Sequence, residues 1–182
     1  MAAVCKWCGT NVQLSLSQTW DGRPLAPMDQ VQIQLSWQQG ALLICVDAPF
    51  YQDPKPKQAV GPTWGLWEYE VVEVFLVGEN DQYTEVELSP HGHHLLLRLE
   101  GCRNIVAQEL PLDFQADIVG DRWRGKAMVK AKDLPHRIQR LNAYAIHGVG
   151  SQRIYAAWTP VPGPEPDFHR LNCFPEVGLE PA

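Results

Sequence analysis

Two β-rich runs flank the polar stretch Gly78-Glu-Asn-Asp-Gln82, a turn of the length that joins antiparallel strands. In the first run Val71, Glu73 and Phe75 share one face, while Glu70, Val72 and Val74 share the other. In the second, Tyr83, Glu85 and Glu87 lie opposite Thr84, Val86 and Leu88. With Val77 paired to Tyr83, Phe75 falls across from Glu85 and Glu73 across from Glu87. Carboxylates directly opposite one another repel unless a hydroxyl, a cation or an arginine stands between them. The hairpin is therefore both a folding constraint and a lead to function.

Period-two alternation recurs along the rest of the chain. Val12, Leu14 and Leu16 alternate with polar residues, as do Val31, Ile33, Leu35 and Trp37. Gln39-Gly40 turns the chain into Ala41–Val46, a continuous apolar run suited to a strand covered on both faces. Further strands are expected at residues 94–99, 104–107, 114–119, 123–129, 141–149 and 153–159. Helical periodicity is nearly absent, with one short turn expected within residues 132–140. About ten short strands at close intervals predict an all-β, antiparallel β-sandwich of jelly-roll type. The expected domain spans residues 11–175, with a loose N-terminal segment at 1–10 and a C-terminal tail at 176–182. Two proline-rich loops, 47–63 and 160–167, have Trp64, Trp67 and Trp158 at or near their ends, which marks them as a binding edge. Trp37 and Trp123, inside alternating strands, are expected in the core.

The net charge of −6 and the lack of a Lys/Arg run argue against nucleic-acid binding. No apolar run reaches the length of a membrane span, and the first ten residues do not read as a secretory or transit signal, so the expected setting is cytoplasmic. The five cysteines are odd in number and scattered, as reduced thiols are. Cys5-x-x-Cys8 lacks the second pair a zinc site needs. His91-Gly-His93-His94 reads as a polar turn, with H-x-H as its metal-binding alternative. No serine or cysteine nucleophile motif, P-loop or G-x-G-x-x-G is present.

The motif order Trp67-x5-Glu73-Val-Phe75, a turn, then Tyr83-x-Glu85-x-Glu87-x-x-Pro90-x-Gly92 resembles the family-9 carbohydrate-binding modules and their DOMON-like relatives. Asn142-Ala-Tyr144-Ala-Ile-His147-Gly, Arg153-x-Tyr-Ala-Ala-Trp158 and Phe168-His-Arg-Leu171 follow the C-terminal pattern of those modules. The chain is still more similar to a small, uncharacterised family of intracellular animal proteins. The shared stretches include Trp20-Asp-Gly, Ala48-Pro-Phe50, Leu66-Trp67-x-Tyr69-Glu70-Val-Val-Glu73, Arg103-Asn104, Ala145-Ile-His147-Gly148 and Pro166-Asp-Phe-His169. The resemblance implies a sandwich in which tryptophans clasp a sugar ring while acidic and basic side chains bond its hydroxyls. Trp67 matches a clasping tryptophan, Glu73 the hydroxyl-binding acid, and Arg98 or Arg103 the basic partner. Trp158 matches a tryptophan of the C-terminal pattern. His147 and His169 depart from that pattern, which has a polar Asn/Asp position and glycine there.

These readings together predict a non-catalytic domain for a small, carbohydrate-like ligand, with Trp67, Glu73, Glu87, Arg98, Arg103, His147, Trp158 and His169 as candidate ligand-binding residues. Glu85 is expected on a solvated strand face, paired with arginine. No cofactor is expected, calcium and zinc being the alternatives. Two further classes stay open: an enzyme built on His147, His169, Glu73 and Glu87, with or without a metal, and a module whose proline-rich loops hold a protein partner.

Overall fold

The computed structural model describes residues 8–9, 11–161 and 163–179. Among them are β1 (Cys8–Gly9), β2 (Asn11–Leu16), β3 (Gln18–Thr19), β4 (Val31–Gln38), β5 (Ala41–Pro49), β6 (Val71–Val77), β7 (Gln82–Leu88), β8 (His94–Glu100), β9 (Ile105–Ala107), β10 (Asp113–Val119), β11 (Arg122–Lys130), β12 (Ile138–His147), β13 (Ile154–Ala157) and β14 (Glu176–Leu179). One sheet runs β1-β14-β12-β6-β7-β8-β9, with β13 and β3 branching from β12; the other runs β10-β11-β5-β4-β2. The two form the expected sandwich. In place of the helical turn expected within residues 132–140, the structure has a 3-10 turn at Ala131–Asp133, overlapping only the start of that range, and strand from Ile138.

The hairpin register is the one the alternation implies, with Val77 opposite Tyr83, Phe75 opposite Glu85 and Glu73 opposite Glu87. Its partner hairpin, β4–β5, closes through Gln39 and Gly40, both with positive φ, as a type I′ turn requires. Val72, Val74, Leu76, Val86, Leu88 and Leu96 pack between the sheets against the inward rows of β2, β4, β5 and β11. Trp123, fully buried, belongs to this core, and Trp37 packs against it.

Two expectations are corrected. The run Ala41–Val46 is not covered on both faces: Cys45 lies on an outer face between Gln34 and Lys126, whose exposed side chains take the place of a second layer. The C-terminal stretch is not a tail from residue 176, because Val177 and Leu179 alternate into the inter-sheet core and make Glu176–Leu179 a strand between β12 and β1. Its pairing with Cys8–Gly9 is parallel, so the ends of the described chain meet in one ladder. Cys5 lies outside the described residues.

The outer face of the larger sheet carries a second apolar cluster, including Phe75, Tyr83, Leu97, Leu99 and Tyr144. The segments that continue both proline-rich loops fold over it: Leu66 comes from the turn that follows the first, and Val161, Phe168, Leu171 and Phe174 from the second and its extension. Phe168 stacks on Tyr144 at 3.7 Å. The gap left between the two coverings is the functional candidate.

Gly78, at the start of the central turn, donates its N–H to Gln82 O at 2.8 Å. A Cβ there would strike the Pro135 ring and lie 2.9 Å from Arg137 O. Gly78→Ala is therefore expected to destabilise the protein by about 1–3 kcal/mol, read as a lower urea midpoint. An unchanged midpoint would show that the 135–137 segment yields freely.

Candidate ligand cleft

The floor of the gap is set by register. Glu73, Glu85 and Glu87 share the outer face of β6 and β7 and are 2%, 4% and 0% exposed. Glu73 and Glu87 face each other, and the remaining ladder neighbours are apolar or aromatic: Tyr144 beside Glu73, Phe75 and Leu97 beside Glu85, Leu95 beside Glu87. Burial raises the Glu73 and Glu87 carboxyls well above the ordinary range, and neighbouring acids (Glu85 for Glu73, Glu73 and Glu85 for Glu87) add to the rise. Glu85 is pushed up to about 8, again chiefly by burial. Its Oε2 and both carboxyl oxygens of Glu87 are buried without a hydrogen-bond partner. Glu85 is thus no solvated face residue, because the proline-rich loops cover what the alternation left open.

Arg153, at the entry to β13, shapes one wall. Its Nη1 donates to Glu68 O (3.1 Å) and Glu68 Oε2 (3.4 Å), and its Nη2 to Trp67 O. These bonds fasten the 3-10 turn Leu66–Glu68, entered through Gly65 at φ +80°, and present Trp67 to the cleft. Trp64 meets Trp67 edge-on at 5.0 Å and is itself exposed. The guanidinium carbon lies 5.7 Å from the centre of the Tyr155 ring. Its Nε is buried without a partner.

The opposite wall is a polar relay. Asp167 Oδ1 accepts from Arg103 Nη2 (2.9 Å) and from His169 N (3.0 Å). Tyr83 Oη accepts the Arg103 backbone N–H at 3.0 Å, leaving its own proton for His169 Nδ1 at 2.8 Å. That assignment puts the imidazole proton on Nε2, which lies 4.0 Å from Glu85 Oε2. Burial, then the charge of Arg103, lowers the His169 pKa to about 4, so the ring is neutral at pH 7 and the approach to Glu85 is not an ion pair.

The resulting cleft has a volume of about 570 Å³ and is lined by Trp64, Trp67, Glu73, Glu85, Arg103, Arg153, Tyr155, Phe168 and His169, among others. Four of the sequence-derived candidates, Trp67, Glu73, Arg103 and His169, converge there. Glu87 lies beside Glu73 but does not line the cleft. Arg98 alternates with Leu97 and Leu99, so it leaves the cleft face and donates to Lys132 O at 3.3 Å. Trp158 packs against the inter-sheet core, its backbone N–H bonded to Ala143 O at 2.9 Å.

His147 follows Ile146 in alternation and stacks on Tyr51 at 3.5 Å, away from the cleft. There it belongs to a latch on the first proline-rich loop. Glu70 accepts the backbone N–H groups of Tyr51 (3.0 Å) and Asp53 (3.3 Å), and Asp53 accepts that of Gly148. The constellation His147, His169, Glu73 and Glu87 is consequently not assembled. His93 Nε2 meets Gln58 O at 3.2 Å, and His94 sits edge-on to Phe114. Among the described residues no three His, Cys, Asp or Glu side chains are grouped to hold a metal ion.

Arg153, Tyr155 and Glu85 were not among the sequence-derived candidates. Tyr155 pairs with Ile146, and β13 lies across β12 from the acidic β6, a placement that only the β12 pairings reveal.

The all-β sandwich is a fold found in carbohydrate-binding modules. A protein from Bacteroides uniformis assigned provisionally to carbohydrate binding superposes with a TM-score of 0.72 at 15% identity, over 93% of this chain and 86% of that one. A family-9 carbohydrate-binding module from Caldicellulosiruptor kristjanssonii, solved with cellotriose, gives 0.53 at 10% identity over 98% and 84%. The same module with glucose gives 0.52 at 11% identity, over 98% and 85%. No protein-family model matches the sequence. The chain is 43% identical over 174 residues to the UPF0462 protein C4orf33 homolog of Danio rerio, covering 91% of this chain and 88% of that one. With Homo sapiens UPF0462 protein C4orf33 it shares 40% over 172 residues, covering 90% and 86%. The chain belongs to the animal UPF0462 (C4orf33) family. Among the described residues no helix is long and apolar enough to cross a membrane.

The floor acids make a pH prediction. Glu85 holds in the fold a proton that the unfolded chain releases above its ordinary 4.5, so stability declines as pH rises from about 4.5 to about 8. One such carboxyl contributes a slope of about 1.4 kcal/mol per pH unit in that window. Glu73, Glu87 and Glu70 act in the same direction. His169 opposes them only between about pH 4 and 6.5, where the unfolded chain binds the proton that the buried ring refuses. Tm is therefore expected to fall from pH 6.5 to 8, and less steeply in Glu85→Gln. A profile that the substitution leaves unchanged would show that Glu85 is already ionised in the fold.

Proposed function

We propose that the cleft binds a sugar or similarly polyhydroxylated molecule, without covalent chemistry, by aromatic contact and charged hydrogen bonds. The observation that carries this reading is the pair of unsatisfied groups in an aromatic-walled cleft: Glu85 Oε2 as acceptor and Arg153 Nε as donor. Buried polar groups are normally satisfied. A hydroxyl both donates and accepts, so a ring bearing several could satisfy both, while its apolar C–H face lay against an indole. Trp67 supplies that surface, Glu73 and Glu85 accept, and Arg153, Arg103 and His169 Nε2–H donate. The glucose and cellotriose bound by the family-9 module of the same fold support the ligand class.

Tryptophan fluorescence titrated with mono- and oligosaccharides tests the assignment. Trp67→Ala is expected to weaken binding at least about tenfold, 1.4 kcal/mol. Arg98→Ala and Trp158→Phe, away from the cleft, should leave affinity within about twofold. Binding that survives Trp67→Ala but is lost in Arg98→Ala would place the site elsewhere and reject the reading.

A further inference from the structure

The acids on the cleft floor keep their protons because they are buried and no cation is bonded to them. Arg103 is bonded to Asp167, and Arg153 to Glu68. With those pairs set aside, Glu73, Glu85 and Glu87 share one buried face with no cation bonded to them, and His169 is neutral. Three buried acids would be a folding burden alone if they were sealed, but Glu73 and Glu85 line the cleft. Glu85 is 4% exposed, and its Oε2 has no hydrogen-bond partner. A hydroxyl can bond such an oxygen, yet it brings no charge. An ammonium supplies both, because it is all donor and its positive charge lets a floor carboxyl give up its proton to solvent and ionise against it.

The walls suit the same group. Trp64, Trp67, Tyr155 and Phe168 line the cleft, and aromatic faces attract desolvated cations. Cys102 and Cys173 do not line the cleft. Both arginines are held at the rim by acids and main-chain oxygens, so neither is bonded to a floor carboxylate.

We propose that the cognate ligand is an amino sugar, or a hydroxylated amine of similar size, whose ammonium group docks on Glu73 and Glu85. This rests on the cleft being the sugar site and names the chemical class of what enters it. Hydroxyls on the same ring meet Arg153 Nε and His169 Nε2, and the carbon skeleton lies against Trp67. The ammonium distinguishes this ligand from the neutral sugars.

The test compares glucose, glucosamine and N-acetylglucosamine on the wild-type protein by calorimetry at neutral pH and fixed ionic strength, with the galacto and manno sets run alongside. N-acetylation keeps the ring and removes the charge. In at least one set the amine is expected to bind at least about tenfold tighter than both neutral forms, a margin typical of a charge-assisted bond to a buried carboxylate. In Glu85→Gln that preference of the amine over its neutral forms should shrink to within about twofold, whatever happens to the affinity the three forms share. Equal binding of amine and parent sugar in every set would overturn the ammonium assignment and leave the sugar site standing. N-acetyl forms binding as tightly as the amines would do the same. Failure of all three forms in every set would reject the sugar site together with the proposal. The wild-type comparison decides the matter even if Glu85→Gln does not fold.

Discussion

The structure depends on one pairing, β6 against β7, which sets three carboxyl groups side by side on a sheet face whose other ladder neighbours are apolar or aromatic. Like charges in that position cannot all ionise under a protein cover. The acids instead hold their protons well above the ordinary range, and the cover can close over them. A sheet face that would otherwise face water becomes a floor, and the loops that cross it become walls.

Those loops are held by means suited to covers rather than linkers. Prolines restrict the backbone, Glu70 collects two N–H groups of the first loop, and Phe168 lies flat on Tyr144 to seat the second. Each loop thus has a fixed resting place on the large sheet, and the space between them is a consequence of where the two stop. His147 and Trp158 take part at one remove: the first stacks under the latch, the second fills the core where β13 ends.

Alternation in the sequence reported the strands, the hairpin partners and the core tryptophans, because those follow from local period and turn chemistry. It could not report which face of the large sheet would be roofed. Glu85 therefore read as solvent-facing, although its register partner Phe75 was already visible. Arg98 and Arg103 were equivalent by spacing; the strand parity of Arg98 and the left-handed turn at Arg103 (φ +58°) separate them. Arg153 was hidden for a different reason. Its role comes from reaching Trp67 and Glu68, 86 and 85 residues earlier, and no local pattern carries a contact of that range. The C-terminal strand was hidden by its brevity and by the proline before it.

Arg153 grips the Trp67 turn by main-chain oxygens, those of Trp67 and Glu68. A clasp of that kind is blind to the side chain it displays. Relatives could exchange the indole for another surface and alter their taste in ligands while the bracket holding it stayed intact. Shape and preference are then inherited through different atoms of the same residue, so lineages can diverge in diet before they diverge in form.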